Sequence, residues 1–229
     1  FLIIIPSWLC PMNGNGRKFD LVAFDMDGVL VDYLSSWTWV HDRFGVSNEE
    51  SVISFMDGII DDMEFMRRDI ALWLRHRPGL GLEDVEKELA MLPINPGIGA
   101  TVQALKDRGV RTVIISGGLD LIAGKIAERY GFDGQWSNGL EADASGKLTG
   151  EGVLRVELCN KRKALHEAQR LFQVPPERTA AIGNSSIDVS MFQACSLGIA
   201  FNPIDEDVVK GAHHVVRDAS LSAVLPYLL

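Results

Sequence analysis

The sequence predicts an α/β protein, a parallel β-sheet covered by helices on both faces and interrupted early by a helical insertion. Three observations carry this. From residue 97 onward, short apolar runs alternate with amphipathic stretches, the pattern of strand–helix–strand crossovers. Residues 31–92 instead read as helical throughout, with Gly and Pro punctuation at Pro78-Gly79 and Pro93. Ahead of both lies one short buried strand, FDLVAF (19–24), followed at once by the carboxylates of Asp25 and Asp27.

The elements follow in order. The insertion contains SSWTWVHDRFG, the amphipathic run DDMEFMRRDIALWLRHR and LEDVEKELAML. After Pro96-Gly97, residues 99–108 read as a helix, RTVIIS (111–116) as a buried strand and 120–130 as a helix. FDGQWSNGLEADASGKLTGE suggests a strand and a hairpin. Residues 161–172 are a helix, TAAIG (179–183) a strand and SIDVSMFQAC a helix. LGIAF (197–201) is a strand, EDVVKGA a helix and HHVV a last short strand. The economical division is a core of residues 12–30 plus 96–229, with residues 31–95 as a helical cap. Residues 1–11, largely the apolar FLIIIPSWLC, are either an extension ahead of a natural start at Met12 or an extra edge strand.

Composition narrows the function classes. The 229 residues are 47% hydrophobic and 23% charged, an ordinary globular balance. A formal charge of −9 argues against a general nucleic-acid binder, which needs a basic surface. It leaves room for a small anion held by a few local cations. Cys10, Cys159 and Cys195 lie far apart without CxxC spacing, so neither a zinc site nor a disulfide framework is expected, and a reducing cytoplasm fits. His213-His214 reads as a surface pair at a strand entrance, with no acid or Cys at ligand spacing. No apolar stretch reaches 18 residues, so no membrane association is expected. Oligomeric state is not legible.

The chemistry gathers at strand ends. In parallel α/β sheets, ligands bind beyond the carboxyl ends of the strands. Asp25 and Asp27 follow the first strand, and residues two apart in an extended segment point the same way. Both carboxylates can reach one site, and so close a pair calls for a cation. Gly28 lets the backbone turn away. The strand RTVIIS ends in Ser116-Gly117-Gly118, and TAAIG runs into Asn184-Ser185-Ser186-Ile187-Asp188. A hydroxyl with backbone N–H groups at a helix start suits a phosphate, and Lys161 adds a full positive charge nearby. Asp25, Asp27, Asn184 and Asp188 supply hard oxygen ligands for Mg2+.

Taken in order, Asp25-Met26-Asp27-Gly28-Val29, Ser116-Gly117-Gly118, Lys161 and GNSSID resemble the four motifs of the haloacid dehalogenase-like phosphatases. The resemblance runs over nearly the whole chain after residue 18. It is closest to the phosphoserine phosphatase-like branch, through PGIGATVQALKDRGVRTVIISGG, GKLTGE and GNSSIDVSMFQACSLGIAFN. It implies a Rossmann-like core and Mg2+-dependent hydrolysis of a phosphomonoester. Asp25 would be the nucleophile, forming an aspartyl-phosphate. Asp27 would protonate the leaving alcohol and then activate water, with its backbone carbonyl on the metal. Ser116, Gly117 and Lys161 would hold the phosphoryl oxygens. Lys163 is the rival of Lys161, which the family's spacing to Gly183 favours. Asp188 is either a metal ligand or an orienter of Lys161.

Two positions depart from the family. Asn184 stands where the family usually has an Asp metal ligand, which lowers the expected Mg2+ affinity. The phosphoserine branch places a glutamate for the substrate amine shortly after the first motif; the matching residue here is Leu34, with Asp32 the nearest acid. Phosphoserine is therefore not favoured, and a small, polar phosphorylated metabolite is expected instead. Arg67 and Arg68 are the natural cap cations for a substrate carboxylate. Trp37, Trp39, Phe55 and Trp73 recur at helical spacing and read as cap core. Two other classes stay open: an impaired homologue that binds a phosphorylated ligand, and a phosphotransferase.

Overall fold

A computed structural model describes residues 16–229. The expectations for residues 1–11 lie outside the described residues. Strand β1 (Leu21–Phe24) is followed by helices α1 (Ser36–Phe44), α2 (Glu49–Met56), α3 (Asp62–His76) and α4 (Leu82–Leu89). Then come α5 (Ile98–Lys106), β2 (Arg111–Leu119), α6 (Asp120–Tyr130), β3 (Gly134–Ala142) and β4 (Leu148–Val153). The chain closes with α7 (Arg162–Phe172), β5 (Thr179–Gly183), α8 (Val189–Phe192), β6 (Leu197–Phe201), α9 (Glu206–Gly211), β7 (His214–Val216) and α10 (Leu225–Leu228).

The seven strands form one sheet in the order β4-β3-β2-β1-β5-β6-β7. All pairings are parallel except β3 with β4, the expected hairpin. β1 is central, with Leu21 opposite Arg111 on one side and Thr179 on the other. Its four residues are wholly buried because alternate side chains serve opposite faces. Val22 and Phe24 enter a core with Ile98, Val102, Ile122 and Ile126, from α5 and α6. Leu21 and Ala23 enter a second core with Ala164, Leu165, Phe192 and Val208, from α7, α8 and α9. A parallel sheet covered on both faces has this apolar signature.

The cap helices start and stop where their sequence allows. Ser35 caps α1 by accepting from the N–H groups of Trp37 and Thr38, and Gly45 ends it in the left-handed conformation. Asp61 caps α3 through the N–H of Glu64. Trp73, Ile70, Val85 and Leu89 join the first core, so the cap interior is continuous with one face of the sheet. Trp37 stacks on Trp73 at 5.3 Å, and the indole N–H of Trp39 donates to the carbonyl of Glu88. Trp39 and Trp73 are structural, whereas Trp37 and Phe55 also line a cavity.

Two elements differ from expectation. The strand expected at 111–116 continues to Leu119, with a register shift against β3 after Ile115. Gly117 and Gly118 make this possible, since a Cβ at Gly118 would collide with Asp27, Ser36 and Met26. The helix expected in SIDVSMFQAC is a 3-10 turn at Ser186–Asp188 followed by one turn of α8. The Asp188 side chain is the reason, because it bonds back to the N–H groups of Asn184 and Ser185. The C-terminal turn and α10 were not expected; they bury Leu221, Val224 and Leu228 in the first core.

Candidate active site

The carboxyl ends of β1, β2 and β5 converge with the start of α7 beneath the cap. Asp25 continues β1, its N–H donating to the carbonyl of Ile182, and it is 4% exposed. Its Oδ1 accepts from the N–H of Met26 at 2.7 Å and faces Lys161 Nζ at 2.6 Å. Asp27 Oδ2 accepts from the Ser36 hydroxyl at 3.1 Å. Its Oδ1 is buried with no hydrogen-bond partner. Gly28, at φ +76°, turns the chain against the Asn184 side chain, where any Cβ would collide.

Lys161 is buried, and its ammonium sits between Asp25 Oδ1 and Asp188 Oδ1, the latter at 2.7 Å. Asp188 Oδ2 accepts from the N–H groups of Asn184 at 2.9 Å and Ser185 at 3.1 Å. Ser116 is buried at the end of β2, its hydroxyl accepting from the N–H of Gly118. The carbonyl of Gly117 takes bonds from the indole N–H of Trp37 and from Asn138, which fixes that peptide. Asp25, Asp27, Ser116, Gly117, Lys161 and Asn184 all line one cavity of about 330 Å3 under the cap.

Burial dominates the titration of the acids. It pushes Asp25 up to about 7, helped by the charge of Asp188 and opposed by Lys161. It pushes Asp27 up to about 6, against the bonds from Ser36 and the charge of Lys161. Burial would lower Lys161, but the charges of Asp188 and Asp25 outweigh it and hold the ammonium above its usual value. Three carboxylates thus face one ammonium.

The structure brings together most of the expected site residues and redirects three. Asp188 was expected either as a metal ligand or as an orienter of Lys161, and the geometry matches the second. Both its oxygens are engaged, one on Lys161 and one on the Asn184–Ser185 backbone, so it holds the lysine and the loop. Arg67 and Arg68 were expected to meet a substrate carboxylate. Arg67 pairs with Glu151 of β4 and with Glu64, Arg68 pairs with Glu64, and neither lines the cavity. One of the acids that pair them, Glu64, lies a turn earlier on α3, and the other, Glu151, is brought in by β4. Lys163 is exposed, which leaves Lys161 as the site lysine. His213 and His214 are exposed.

Sequence reasoning missed Ser36, whose hydroxyl joins Asp27 Oδ2 to the N–H of Leu119, and Asn138, which braces Gly117. Tandem serines before an amphipathic helix suggest only a cap, and a strand asparagine carries no signal of its own.

Residues 22–193 match the haloacid dehalogenase-like hydrolases, and the chain belongs to that family. Within it the chain is a phosphatase of the phosphoserine phosphatase-like kind. It is 33% identical to a phosphoserine phosphatase of Wolinella succinogenes, over 91% of this chain and 99% of that protein. It is 34% identical to phosphoserine phosphatase SerB2 of Mycobacterium tuberculosis over 93% of this chain, and there it spans only 49% of the relative. Among solved structures, a phospho-aspartyl intermediate analogue of phosphoserine phosphatase superposes with a TM-score of 0.77 at 28% identity, covering 93% of this chain and 100% of the other. Among the described residues no helix is long and apolar enough to cross a membrane.

Proposed function

We propose that the chain hydrolyses a small phosphomonoester with Mg2+, through an aspartyl-phosphate on Asp25. The observation that carries this reading is the placement of Asp25, Asp27, Ser116 and Lys161 on the wall of one cavity. The donor set fits the metal. Oxygen donors predominate, negative charge exceeds positive, and a buried oxygen of Asp27 lacks a partner. Asp25, the backbone carbonyl of Asp27 and the side-chain oxygen of Asn184 would hold it. Bound there, Mg2+ supplies charge neutralisation for a carboxylate approaching a phosphate dianion.

The protein's own groups do the rest. An Asp25 oxygen attacks phosphorus as the ester P–O bond breaks. Asp27, raised by burial, delivers a proton to the departing alkoxide. The resulting Asp27 carboxylate then takes a proton from the water that attacks the aspartyl-phosphate, releasing phosphate and restoring Asp25. Lys161 and the Ser116 hydroxyl offset charge on the phosphoryl oxygens. The cap keeps bulk water from the acyl phosphate.

The test is phosphate release from p-nitrophenyl phosphate with and without millimolar Mg2+. Mg2+-dependent release that disappears in Asp25→Asn is the expected result; release that survives the substitution overturns the role of Asp25. One observation favours a second reading. Among the described residues no three His, Cys, Asp or Glu side chains are grouped to hold a metal, and Asn184 is a neutral donor on the same cavity wall as Asp25 and Asp27. A protein that binds a phosphorylated ligand without turnover would show affinity in calorimetry and no phosphate release.

A further inference from the structure

The cavity changes character away from the carboxylate pair. Its walls there come from Leu34, Val52, Phe55 and Met56 of the helical insertion and from Ile187 and Ile204 of the core. Leu34 is 63% exposed and Met56 74%, so large apolar side chains stand in water around the mouth. Phe55 stacks on Phe65, with ring centres 4.9 Å apart, to form an aromatic wall.

Charged partners for a substrate are missing from this wall. Among the described lining residues Lys161 is the only cation, and it lies between Asp25 and Asp188. Away from the carboxylate pair, Asp69 is the only acid. It is 1% exposed, and its carboxylate already takes His41 Nε2 at 3.1 Å and the side-chain amide of Asn48 at 3.0 Å. The other polar lining on the cap side, Ser35, Thr38 and Asn48, is neutral. A substrate carboxylate or ammonium entering here would lose its water without gaining a counter-charge.

Building on the phosphatase reading above, we infer that the site takes phosphomonoesters whose alcohol is apolar and uncharged. The polar metabolite expected from sequence does not suit these walls. The phosphate end would lie at Asp25 and Ser116, and the alcohol would lie along Phe55, Met56 and Ile204. Continuity of the apolar walls with the carboxylate pair in one cavity fixes that direction.

The experiment compares kcat/KM for ethyl, butyl and hexyl phosphate with that for O-phosphoserine, using p-nitrophenyl phosphate to report turnover as such. Each pair of added methylenes is expected to raise kcat/KM by about tenfold, the scale of apolar transfer. O-phosphoserine is expected to fall below butyl phosphate by about tenfold or more. In Met56→Arg, a substitution at an exposed position, the gap between hexyl phosphate and O-phosphoserine should narrow. If p-nitrophenyl phosphate is cleaved but chain length has no effect, or O-phosphoserine is preferred, the inference falls and the phosphatase reading stands. If no ester is cleaved, the phosphatase reading falls. Calorimetric affinity for ethyl, butyl and hexyl phosphonate then decides the inference: affinity that grows with chain length supports it, and equal affinity overturns it.

Discussion

At the scale of single residues, Asn184 is the most informative. Asn184→Asp adds a carboxylate beside Asp25 and Asp27, and the Mg2+ concentration giving half-maximal phosphate release should fall by about tenfold or more. Unchanged Mg2+ demand would remove Asn184 from the metal set. Gly28 is the second. Its positive φ and its contact with Asn184 leave no place for a side chain, so Gly28→Ala should lower stability by about 1–3 kcal/mol and depress turnover together. Thermal unfolding and initial rates check this. Much of the site was legible, because carboxylates, hydroxyl and lysine each stand at a strand end or helix start. The fate of Asp188 was not legible. Whether a carboxylate meets a metal, a lysine or the backbone depends on the turn it closes, and its bonds to Asn184 and Ser185 exist only once that loop is folded. Arg67 misled for a related reason. Its partner Glu151 is remote in sequence and becomes a neighbour only when α3 lies on β4.

At the scale of elements, the cap is held by a buried polar chain. The Trp73 indole N–H donates to His41 Nδ1, so the His41 proton is on Nε2, where it bonds Asp69. Asn48 completes the set and ties the start of α2 to α3. Asp69→Ala leaves the buried His41 N–H and the half-buried Asn48 amide without their acceptor and should cost about 1–3 kcal/mol. Hydrogen exchange should show the loss first in α1 and α3. Arg67→Ala removes only exposed ion pairs, with Glu151 of β4 and with Glu64, and should leave the midpoint of urea unfolding almost unchanged. Helix and strand types were readable from periodicity. The extension of β2 to Leu119 was not, because Ser-Gly-Gly reads locally as a turn. Only the proximity of Asp27 and Ser36 explains glycine there.

At the scale of the whole molecule, the sheet is clasped at the base of β1. Asp20 accepts from Arg178 Nε at 2.9 Å and pairs also with Arg17, joining the entrance to β1 with the start of β5. Arg178 above all, with Arg17, holds Asp20 below the usual carboxylate value despite its burial. A lowered value makes this contribution complete at neutral pH and lost as pH falls through the folded-state value. Asp20→Asn should therefore cost about 1–3 kcal/mol at pH 7 and progressively less as pH falls below the usual carboxylate range, as read by urea unfolding across that series. The sheet order has a further consequence, for how the chain is made. β1 leaves the ribosome before every other strand of the sheet, yet its two neighbours begin only at Arg111 and Thr179. The apolar LVAF segment has both edges open until β2 is made and one edge open until β5 is made, while the cap helices are complete before β4, on which α3 rests, has been synthesised. The strand that leads into Asp25 is thus the first part of the sheet to be translated, yet its second edge stays open until β5 is made. Synthesis halted before Thr179 would yield a chain with a finished lid and an unclosed sheet edge.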